Sequence, residues 1–441
     1  MTYGDAIEYL LTFADFERSG RFQDRPDVAP MLALLSELGD PHLGRTTVHV
    51  AGSKGKGSIA AMIESCLRAA GHTTGLFTSP HLHSYCERIA IDGQPVIEAE
   101  FAALTSEVRA AVERLADRLG ERRLVTFDLL TAMGILAFRQ HDVGAQVIEV
   151  GLGGRLDSTN VFETKDVAVI APLSFEHTAI LGEEIEAIAR EKTDIITPGC
   201  AVVMAPQTYA AAAEIVRVAA KSTCADLIDV ASDSTWRVLD HDLRGQTVRI
   251  ERPGGAIEVR LPLIGAHQAE NAATAVTALD ALRLDLAGEE IVCGLASVRW
   301  PGRMEVLREG PLVIADGAHN GESARRLVEA LREYGNVERA TFIVACLAGK
   351  NVGSLADELV PLAERVFATK TEHPRAMEPP DVSAPFRERG VDTEECDTVR
   401  VAVDKAIEVT PIDGVICLVG TLSAAAAGRD LLLHTGPRTA E

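Results

Sequence analysis

The sequence predicts an α/β protein with two domains, each built on a mostly parallel sheet. Short runs of β-branched residues alternate with helical patterns rich in Ala and Leu, as in a strand over 46–51 followed by a helix over 58–70. Such alternation is typical of βαβ units. The alternation of strands and helices is interrupted at Arg299-Trp300-Pro301-Gly302, because Pro and Gly break either element, and it resumes after this segment. A chain of 441 residues has room for two or three domains.

We therefore expect a large P-loop-like α/β domain over residues 1–298 and a smaller Rossmann-like α/β domain over residues 299–441. Further strands are predicted at 73–77, 145–150, 167–170 and 201–204, and after the linker at 313–315, 341–346, 366–369 and 415–419. Helices are predicted at 127–139 and 267–284. Two alternating runs, 247–251 and 257–261, flank Pro253-Gly254-Gly255 and predict an antiparallel hairpin.

The composition excludes several classes of protein. The chain carries 43 Lys and Arg against 65 Asp and Glu, a net charge of −22, whereas a nucleic-acid binder usually has a basic surplus. No apolar run is long enough for a membrane span, and the N-terminus lacks a secretory pattern. The eight cysteines form no Cys-x-x-Cys pair, which favours reduced thiols in the cytoplasm. We expect small-molecule substrates and neither nucleic-acid nor membrane partners.

One glycine-rich segment predicts a phosphate-binding loop. It lies between a predicted strand and a predicted helix and reads Gly52-Ser53-Lys54-Gly55-Lys56-Gly57-Ser58. Backbone N–H groups, a helix N-terminus and mobile ammonium groups together suit an anionic phosphate. The strict motif would have glycine at Val50 and no residue between Lys56 and Ser58, so an ordinary Gly/Ser turn remains the alternative.

Motifs along nearly the whole chain resemble those of the folylpolyglutamate synthase and dihydrofolate synthase family, within the Mur ligase superfamily. The ending Lys56-Gly57-Ser58 is similar to the folate branch of that superfamily. The other matching segments, in the family's order, are 78–82, 87–89, 149–160, 176–178, 188–192, 267–273, 301–305 and 316–320. The resemblance implies an ATP-dependent ligase that adds L-glutamate to dihydropteroate, to a reduced folate or to both, through an acyl phosphate. It also implies ATP and two Mg²⁺ as cofactors and a monomeric protein.

The resemblance assigns roles to particular residues. Ser79, Glu149 and His177 would bind magnesium, and Lys192 would be carbamylated, which turns a cation into a metal ligand. Lys56, Lys192 and His177 would be the catalytic residues. Asn271, Arg303 and Asp316 would contact adenine, phosphate and ribose, beside the phosphate loop. Since Arg303 and Asp316 follow the linker, ATP would lie between the domains.

The resemblance also predicts an acceptor site. Phe127 and Asp128 match the family's pterin-side helix, with Asp128 in place of the usual Glu. Arg155 and Asp157 lie in a glycine-rich loop on the same side. The alternative for Phe127 is a role as a core residue.

Four positions depart from the family pattern: Ser53 and Lys54 in the loop, Glu176 in place of Asp, and Asn351. Three other functions remain open. They are a Mur-type ligase for a different carboxylate, a non-enzymatic ATP- or pterin-binding protein, and a simple P-loop kinase. Roles outside a functional site also remain open: Ser79 as a turn residue, His177 as a loop cap and Lys192 as a solvated helix lysine.

Overall fold

The computed structural model describes residues 1–19, 28–119 and 123–433, and it confirms the α/β class. Within these residues the strands form three sheets. The first sheet has the order β4-β3-β2-β5-β1-β6-β7-β8. Its strands are β1 (Thr46–Ala51), β2 (Thr74–Phe77), β3 (Ile89–Ile91), β4 (Gln94–Pro95), β5 (Ala145–Glu149), β6 (Val167–Ile170), β7 (Ala201–Met204) and β8 (Asp226–Asp229).

Two smaller sets of strands follow in the chain. The second sheet, in the order β11-β10-β9, consists of β9 (Thr235–Asp242), β10 (Gly245–Glu251) and β11 (Ile257–Leu261). The third sheet has the order β12-β13-β17-β14-β15-β16. Its strands are β12 (Glu305–Glu309), β13 (Leu312–Ala315), β14 (Ala340–Val344), β15 (Ala363–Ala368), β16 (Asp392–Glu395) and β17 (Val415–Val419).

The helices cover the sheets and connect their strands. In the first half they are α1 (Tyr3–Leu10), α2 (Phe16–Ser19), α3 (Ala29–Glu37), α4 (Lys56–Ala69), α5 (Glu98–Leu119), α6 (Thr126–Gln140), α7 (Thr178–Leu181), α8 (Ile185–Thr193), α9 (Ala210–Ser222) and α10 (Val230–Asp233). They continue as α11 (Ala266–Ala281), α12 (Gly288–Ser297), α13 (Gly321–Gly335), α14 (Val352–Leu359), α15 (Pro379–Glu388), α16 (Val399–Val409) and α17 (Leu422–Leu433). A 3₁₀ turn spans Tyr85–Arg88. No helix in these described ranges is both long and apolar enough to cross a bilayer.

Strand β1 is an interior strand of the first sheet, and both of its faces are covered. It pairs in parallel with β5 along one edge and with β6 along the other, and the core completely buries Val48 and Val50 on one face and His49 and Ala51 on the opposite face. A strand buried on both faces is expected to be a continuous apolar run. The chain passes from β1 to β2 on one side and later to β6 on the other. In open parallel sheets, this reversal of strand order places the ligand site outside the carboxyl ends of the strands.

The structure corrects several predicted boundaries. Helix α4 begins at Lys56 rather than residue 58, because Gly55 takes the left-handed φ of +80° that allows the turn into the helix. Helix α11 ends at Ala281 rather than 284, since Arg283 has a φ of +54°. The predicted hairpin of β10 and β11 is confirmed, with β9 added on its other edge. The division at residues 298 and 299 stays a prediction.

Candidate active site

A cavity of about 1480 Å³ is lined by residues from both halves of the chain. From the first sheet it receives the segments that follow the carboxyl ends of β1, β2, β5 and β6. From the third sheet it receives the segments that follow β13, β14 and β17. Because parallel strands end at the same edge, the two sheets bring their connecting loops to one place. Residues far apart in sequence meet there.

The phosphate loop is anchored to the segment after β6. Gly52 has a φ of +149°, and a Cβ at this position would lie 2.6 Å from the Cβ of Ala171. The N–H groups of Ser53 and Lys54 donate to the carbonyl of Pro172 at 2.9 and 3.1 Å. These two donors therefore serve the loop itself. A phosphate would depend on the N-terminus of α4 and on the lysine side chains.

The start of α4 is in close contact with α11 and with the linker. A Cβ on Gly55 would lie 2.5 Å from Oδ1 of Asn271, and one on Gly57 would lie 2.6 Å from the ring of Trp300. Lys56, Gly57 and Asn271 line the cavity, as do the remaining predicted loop residues Ser53, Lys54, Gly55 and Ser58. Gly52 is not among the described residues that line the cavity. The structure thus brings Asn271 to the loop, and its contact with adenine stays a prediction.

Glu149 and Ser79 meet at the adjoining ends of β5 and β2. The backbone N–H of Ser79 donates to Oε2 of Glu149 at 3.1 Å. Burial raises the pKa of the Glu149 carboxyl, while Lys56 and Arg303 oppose that rise. A buried carboxylate costs free energy unless cations or donors compensate it. This contact uses the backbone N–H of Ser79, so both the magnesium-ligand role and the turn-residue alternative for Ser79 stay predictions.

Lys192 lies behind the cavity wall and is bound on two sides. Its Nζ donates to the carbonyl of Gly52 and to Oε1 of Glu176, both at 2.9 Å, and only 2% of the side chain is exposed. Burial lowers the pKa of Lys192, and Glu176 opposes that shift. Burial alone would raise the pKa of Glu176, but Lys192 and the loop lysines bring it to about 2. The solvated-lysine alternative for Lys192 is wrong, whereas carbamylation stays a prediction.

His177 has a left-handed backbone, with a φ of +48°, at the start of the short helix α7. It lines the cavity beside Glu176. Burial lowers the pKa of the His177 imidazole to about 4, so the ring is neutral near pH 7. A neutral imidazole can coordinate a metal or accept a proton.

Arg303, Asp316 and His319 enter the cavity from the third sheet. Asp316 accepts the N–H groups of Met304 and Ala318 at 2.8 and 2.7 Å, so each of its carboxylate oxygens already holds the backbone. Nδ1 of His319 lies 3.0 Å from the carbonyl of Gly317, which identifies Nδ1 as the donor. Burial lowers the pKa of His319 to about 3, so the ring is neutral. Asp316 organises its loop, and a ribose contact would be an additional role.

The predicted acceptor residues fall into two groups. Phe127 lines the cavity, and a Cβ on Gly151 would lie 2.5 Å from its ring. Asp128 lies outside the cavity lining and is fully buried. It accepts the Val125 N–H at 2.9 Å and the Ser158 hydroxyl at 2.7 Å. Asp128 therefore caps α6, which gives it a structural role that the sequence pattern did not reveal.

Arg155 and Asp157 differ in the same way. Arg155 is exposed at the cavity edge and pairs with Glu191 at 2.9 Å. Asp157 is buried and accepts the N–H groups of Leu152 and Thr159 at 2.8 and 3.0 Å. Its carboxylate therefore closes the loop 151–158 on itself.

The sequence reasoning missed a charged cluster that also lines the cavity. The guanidinium of Arg88 contacts both carboxylate oxygens of Glu17, at 3.1 and 2.5 Å, and donates to Nδ1 of His81 at 2.9 Å. Arg375 from the second half donates to the carbonyl of Glu17 at 3.3 Å. The matching segments 78–82 and 87–89 contain His81 and Arg88, whereas Glu17 and Arg375 lie in no matching segment.

Magnesium prefers oxygen ligands in near-octahedral geometry. Among the described residues, no three His, Cys, Asp or Glu side chains form a metal-binding group. Glu149 with Ser79 fits one Mg²⁺, since a cation would offset the desolvation of the carboxylate and both residues offer oxygen. A second ion at His177 and Lys192 does not fit the residues as they stand, because Lys192 is an amine paired with Glu176.

Comparisons with known proteins agree with this geometry. The Mur ligase middle domain family matches residues 50–279, and the Mur ligase, glutamate ligase domain family matches residues 302–422. The chain is 34% identical over 392 residues to the folylpolyglutamate synthase of Lacticaseibacillus casei, covering 86% of this chain and 87% of that protein. The crystal structure of Mycobacterium tuberculosis folylpolyglutamate synthase complexed with ADP and AMPPCP superimposes with a TM-score of 0.88 at 31% identity, covering 97% of this chain and 99% of that one.

A longer relative shows the same likeness. The probable bifunctional folylpolyglutamate synthase/dihydropteroate synthase of Haloferax volcanii is 34% identical over 436 residues, covering 97% of this chain. The chain spans 50% of that protein's length. The motif resemblance is thereby confirmed by family matches, overall identity and fold. The chain belongs to the Mur ligase family, in its folylpolyglutamate synthase and dihydrofolate synthase branch.

Proposed function

We propose that this protein is an ATP-dependent ligase that adds L-glutamate to the carboxylate of dihydropteroate, of a reduced folate, or of both. The observation that carries the proposal is the shared cavity. It joins the phosphate loop, Glu149 with Ser79, and His177 to Arg303 and the loop after β13. Relatives named for this activity match the chain over most of its length.

Amide formation from a carboxylate requires an activated acyl group. In the proposed reaction the acceptor carboxylate attacks the γ-phosphorus of ATP, giving an acyl phosphate and ADP. The glutamate amine then attacks the acyl carbon, and inorganic phosphate leaves. Negative charge develops on phosphoryl oxygens, so catalysis consists mainly of positioning and of cationic stabilisation.

The chain supplies these cations from both sheets. Lys56, at the N-terminus of α4, would hold the ATP phosphates, and Arg303 would reach them from the opposite side. Ser58 and the helix N-terminus add a hydroxyl and partial positive charge. Asn271 would contact adenine and Asp316 the ribose.

One Mg²⁺, when bound, would supply positive charge against the phosphate oxygens. Glu149 and Ser79 are the residues proposed to hold it, with His177 as a further ligand or a proton acceptor. The second Mg²⁺ is proposed only together with carbamylation of Lys192. That modification would require Lys192 to leave its ion pair with Glu176.

The acceptor would occupy the part of the cavity beside Phe127 and the loop 151–158. Phe127 offers an aromatic face, and Arg155 offers a cation at the edge. We also propose a monomer acting on small molecules in the cytoplasm. The free state of all eight cysteines supports a reducing compartment.

One assay tests the function. ADP release is measured with Mg²⁺, bicarbonate and L-glutamate, and with dihydropteroate, tetrahydrofolate or a peptidoglycan nucleotide as acceptor. We expect glutamate-dependent ADP release and a glutamyl product with a pterin acid. Turnover of only the peptidoglycan nucleotide would assign a different Mur-type ligase, and ATP binding without any turnover would assign a binding protein.

A further inference from the structure

Four buried polar side chains form a continuous hydrogen-bonded chain beneath the loop 151–158. We call this series of hydrogen-bonded side chains the relay; it consists of Asp157, Thr159, His49 and Lys165. The Thr159 Oγ1 lies 2.5 Å from Asp157 Oδ1 and 2.9 Å from His49 Nε2. The Lys165 Nζ lies 3.0 Å from His49 Nδ1. At most 7% of any of these residues is exposed.

The chemistry of the two ends fixes the direction of every bond in the relay. The carboxylate of Asp157 only accepts, so the Thr159 hydroxyl donates its single proton to it. That hydroxyl must then accept from His49, which places the ring proton on Nε2. Nδ1 is left as an acceptor for the Lys165 amine. Burial and the nearby lysine hold the pKa of His49 well below its usual value, in agreement with a neutral ring.

The relay ends at the loop that lines the cavity. Asp157 accepts the Leu152 N–H at 2.8 Å and the Thr159 N–H at 3.0 Å, which closes the loop 151–158. All eight residues of that loop line the cavity, and Gly151 lies against Phe127. The orientation of Asp157 therefore sets the shape of the wall opposite this aromatic ring.

The burial of Lys165 costs free energy, so packing alone does not explain its presence at this position. Among the described ion pairs it has no carboxylate partner, and its other contacts are the Ile195 carbonyl at 2.7 Å and the Phe162 ring at 5.9 Å. A buried amine without a counter-ion is unfavourable. Asp157 and Thr159 favour the tautomer of His49 with its proton on Nε2, and the Lys165 amine reinforces that choice by donating to Nδ1. In the other tautomer the Thr159 proton would turn toward His49, and Asp157 would lose a donor.

We propose that the relay is a positioning device in which Lys165, through His49 and Thr159, holds Asp157 and thereby fixes the loop 151–158 for the acceptor substrate. None of its members needs to touch the reacting atoms. The identity of the acceptor rests on the proposed function, whereas the effect on the loop does not.

Matched variants separate this role from general stability. Thr159→Val removes the hydroxyl at nearly constant shape, and Thr159→Ser restores it. Lys165→Met removes the amine at similar length. Thr105→Val is the control, because Thr105 is also fully buried and its hydroxyl donates to the Phe101 carbonyl, outside the relay.

The first measurement is amide hydrogen exchange of the peptide over 151–158 in the unliganded protein. We expect exchange at least ~10-fold faster in Thr159→Val and Lys165→Met, the factor that corresponds to ~1.4 kcal/mol in local opening. Thr159→Ser and Thr105→Val should exchange like the original protein. Unchanged exchange in both relay variants would overturn the proposal.

The second measurement is the KM for each substrate. The relay variants should raise the KM for the pterin acid about 10-fold and leave the KM for ATP within about twofold, with Thr159→Ser close to the original. An equal rise of both KM values, matched by Thr105→Val at equal loss of Tm, would assign a merely structural role. An inactive original protein whose relay variants still exchange faster would remove the proposed ligase activity and support the relay.

Discussion

Burial and neighbouring charge decide what each polar residue of the cavity can do. Glu176 and Lys192 illustrate this, because one carboxylate turns a candidate metal ligand into a paired ammonium. Asp128 and Asp157 are acidic in a motif, yet the structure uses their oxygens to hold backbone and hydroxyl donors. Residue type alone could not distinguish a free carboxylate from an occupied one.

Replacement of Lys56 should reduce turnover with little change in the fold. We expect Lys56→Ala to lower kcat by at least about 10²-fold, the scale for losing one preorganised charge-stabilising group. Steady-state ADP release at saturating substrates measures this. Lys221→Ala, at an exposed position near the end of α9, is the control. A near-normal kcat in Lys56→Ala would show that this lysine does not hold the reacting phosphates.

Lys192→Ala should be nearly inactive if the carbamate is formed. Added formate or acetate should then restore part of the rate, because either anion could occupy the vacated carboxylate position. The Lys192→Ala/Glu176→Ala double variant serves as control, since Lys192→Ala alone leaves Glu176, whose side chain is only 12% exposed, without its partner, at a cost of up to ~3–5 kcal/mol. Normal activity in Lys192→Ala contradicts the carbamate. Inactivity without rescue, at restored stability, would indicate a plain cation.

Lys165 should give the protein a distinctive alkaline stability profile. Burial lowers its pKa from 10.5 to about 7, with Cys200 opposing the shift, and His49 and the Phe162 ring also face the amine. Between these pH values the unfolded chain binds the proton more tightly than the folded protein. The free energy of unfolding therefore rises with pH through this window, by about 1.4 kcal/mol per pKa unit at most.

This contribution is measured as the difference in free energy of unfolding between the original protein and Lys165→Met from pH 7 to pH 10. We expect that difference to move in favour of the original protein as pH rises. A difference that stays constant across the range would show that Lys165 does not titrate in this window.

At the level of elements, the loop between β1 and α4 depends on close backbone contact. Gly52→Ala would bring a Cβ to 2.6 Å from that of Ala171 at a φ of +149°. We expect a loss of ~2–4 kcal/mol in the free energy of unfolding, from overpacking added to backbone strain. The KM for ATP should also rise about 10-fold as the loop shifts. Denaturant unfolding and initial rates measure the two effects.

Gly44 provides the matched control for this substitution. Its φ is +81°, and a Cβ there would meet no atom within 4 Å. Gly44→Ala should lose only ~1–2 kcal/mol, from backbone strain alone, with an unchanged KM for ATP. Equal losses in the two variants would contradict the importance of the Ala171 contact.

At the level of the whole molecule, the cavity predicts closure of the two halves around ATP. Lys56 lies on one side and Arg303 and Asp316 on the other, and direct contacts such as Arg375 to the Glu17 carbonyl and Arg429 to His83 already join the halves. Ligand contacts with both sides would favour a more closed arrangement. Small-angle scattering with a non-hydrolysable ATP analogue and a pterin acid should show a smaller radius of gyration. Identical profiles, with binding of both ligands demonstrated separately, would exclude closure.

The sequence by itself determined the class of fold, most strands and the candidate phosphate loop. Runs rich in β-branched residues, such as β1 and β6, are visible because both faces of these strands are buried, and the loop is visible because glycine tolerates the backbone at Gly52 and Gly55. The sequence did not predict the strands β9 and β12 or the long helix α5. Their alternating or charged patterns reflect partial exposure, which weakens the signal of periodicity.

Only the tertiary structure decided which polar groups are occupied and which face the cavity. The relay joins His49, Asp157, Thr159 and Lys165 across β1, the loop after β5 and the approach to β6. The Glu17–Arg88 pair similarly joins the N-terminal segment to the turn before β3. Hydrogen bonds between residues more than 70 positions apart leave no local pattern in a sequence. Such bonds depend on the parallel order of the strands, which brings distant loops to the same edge of the sheet.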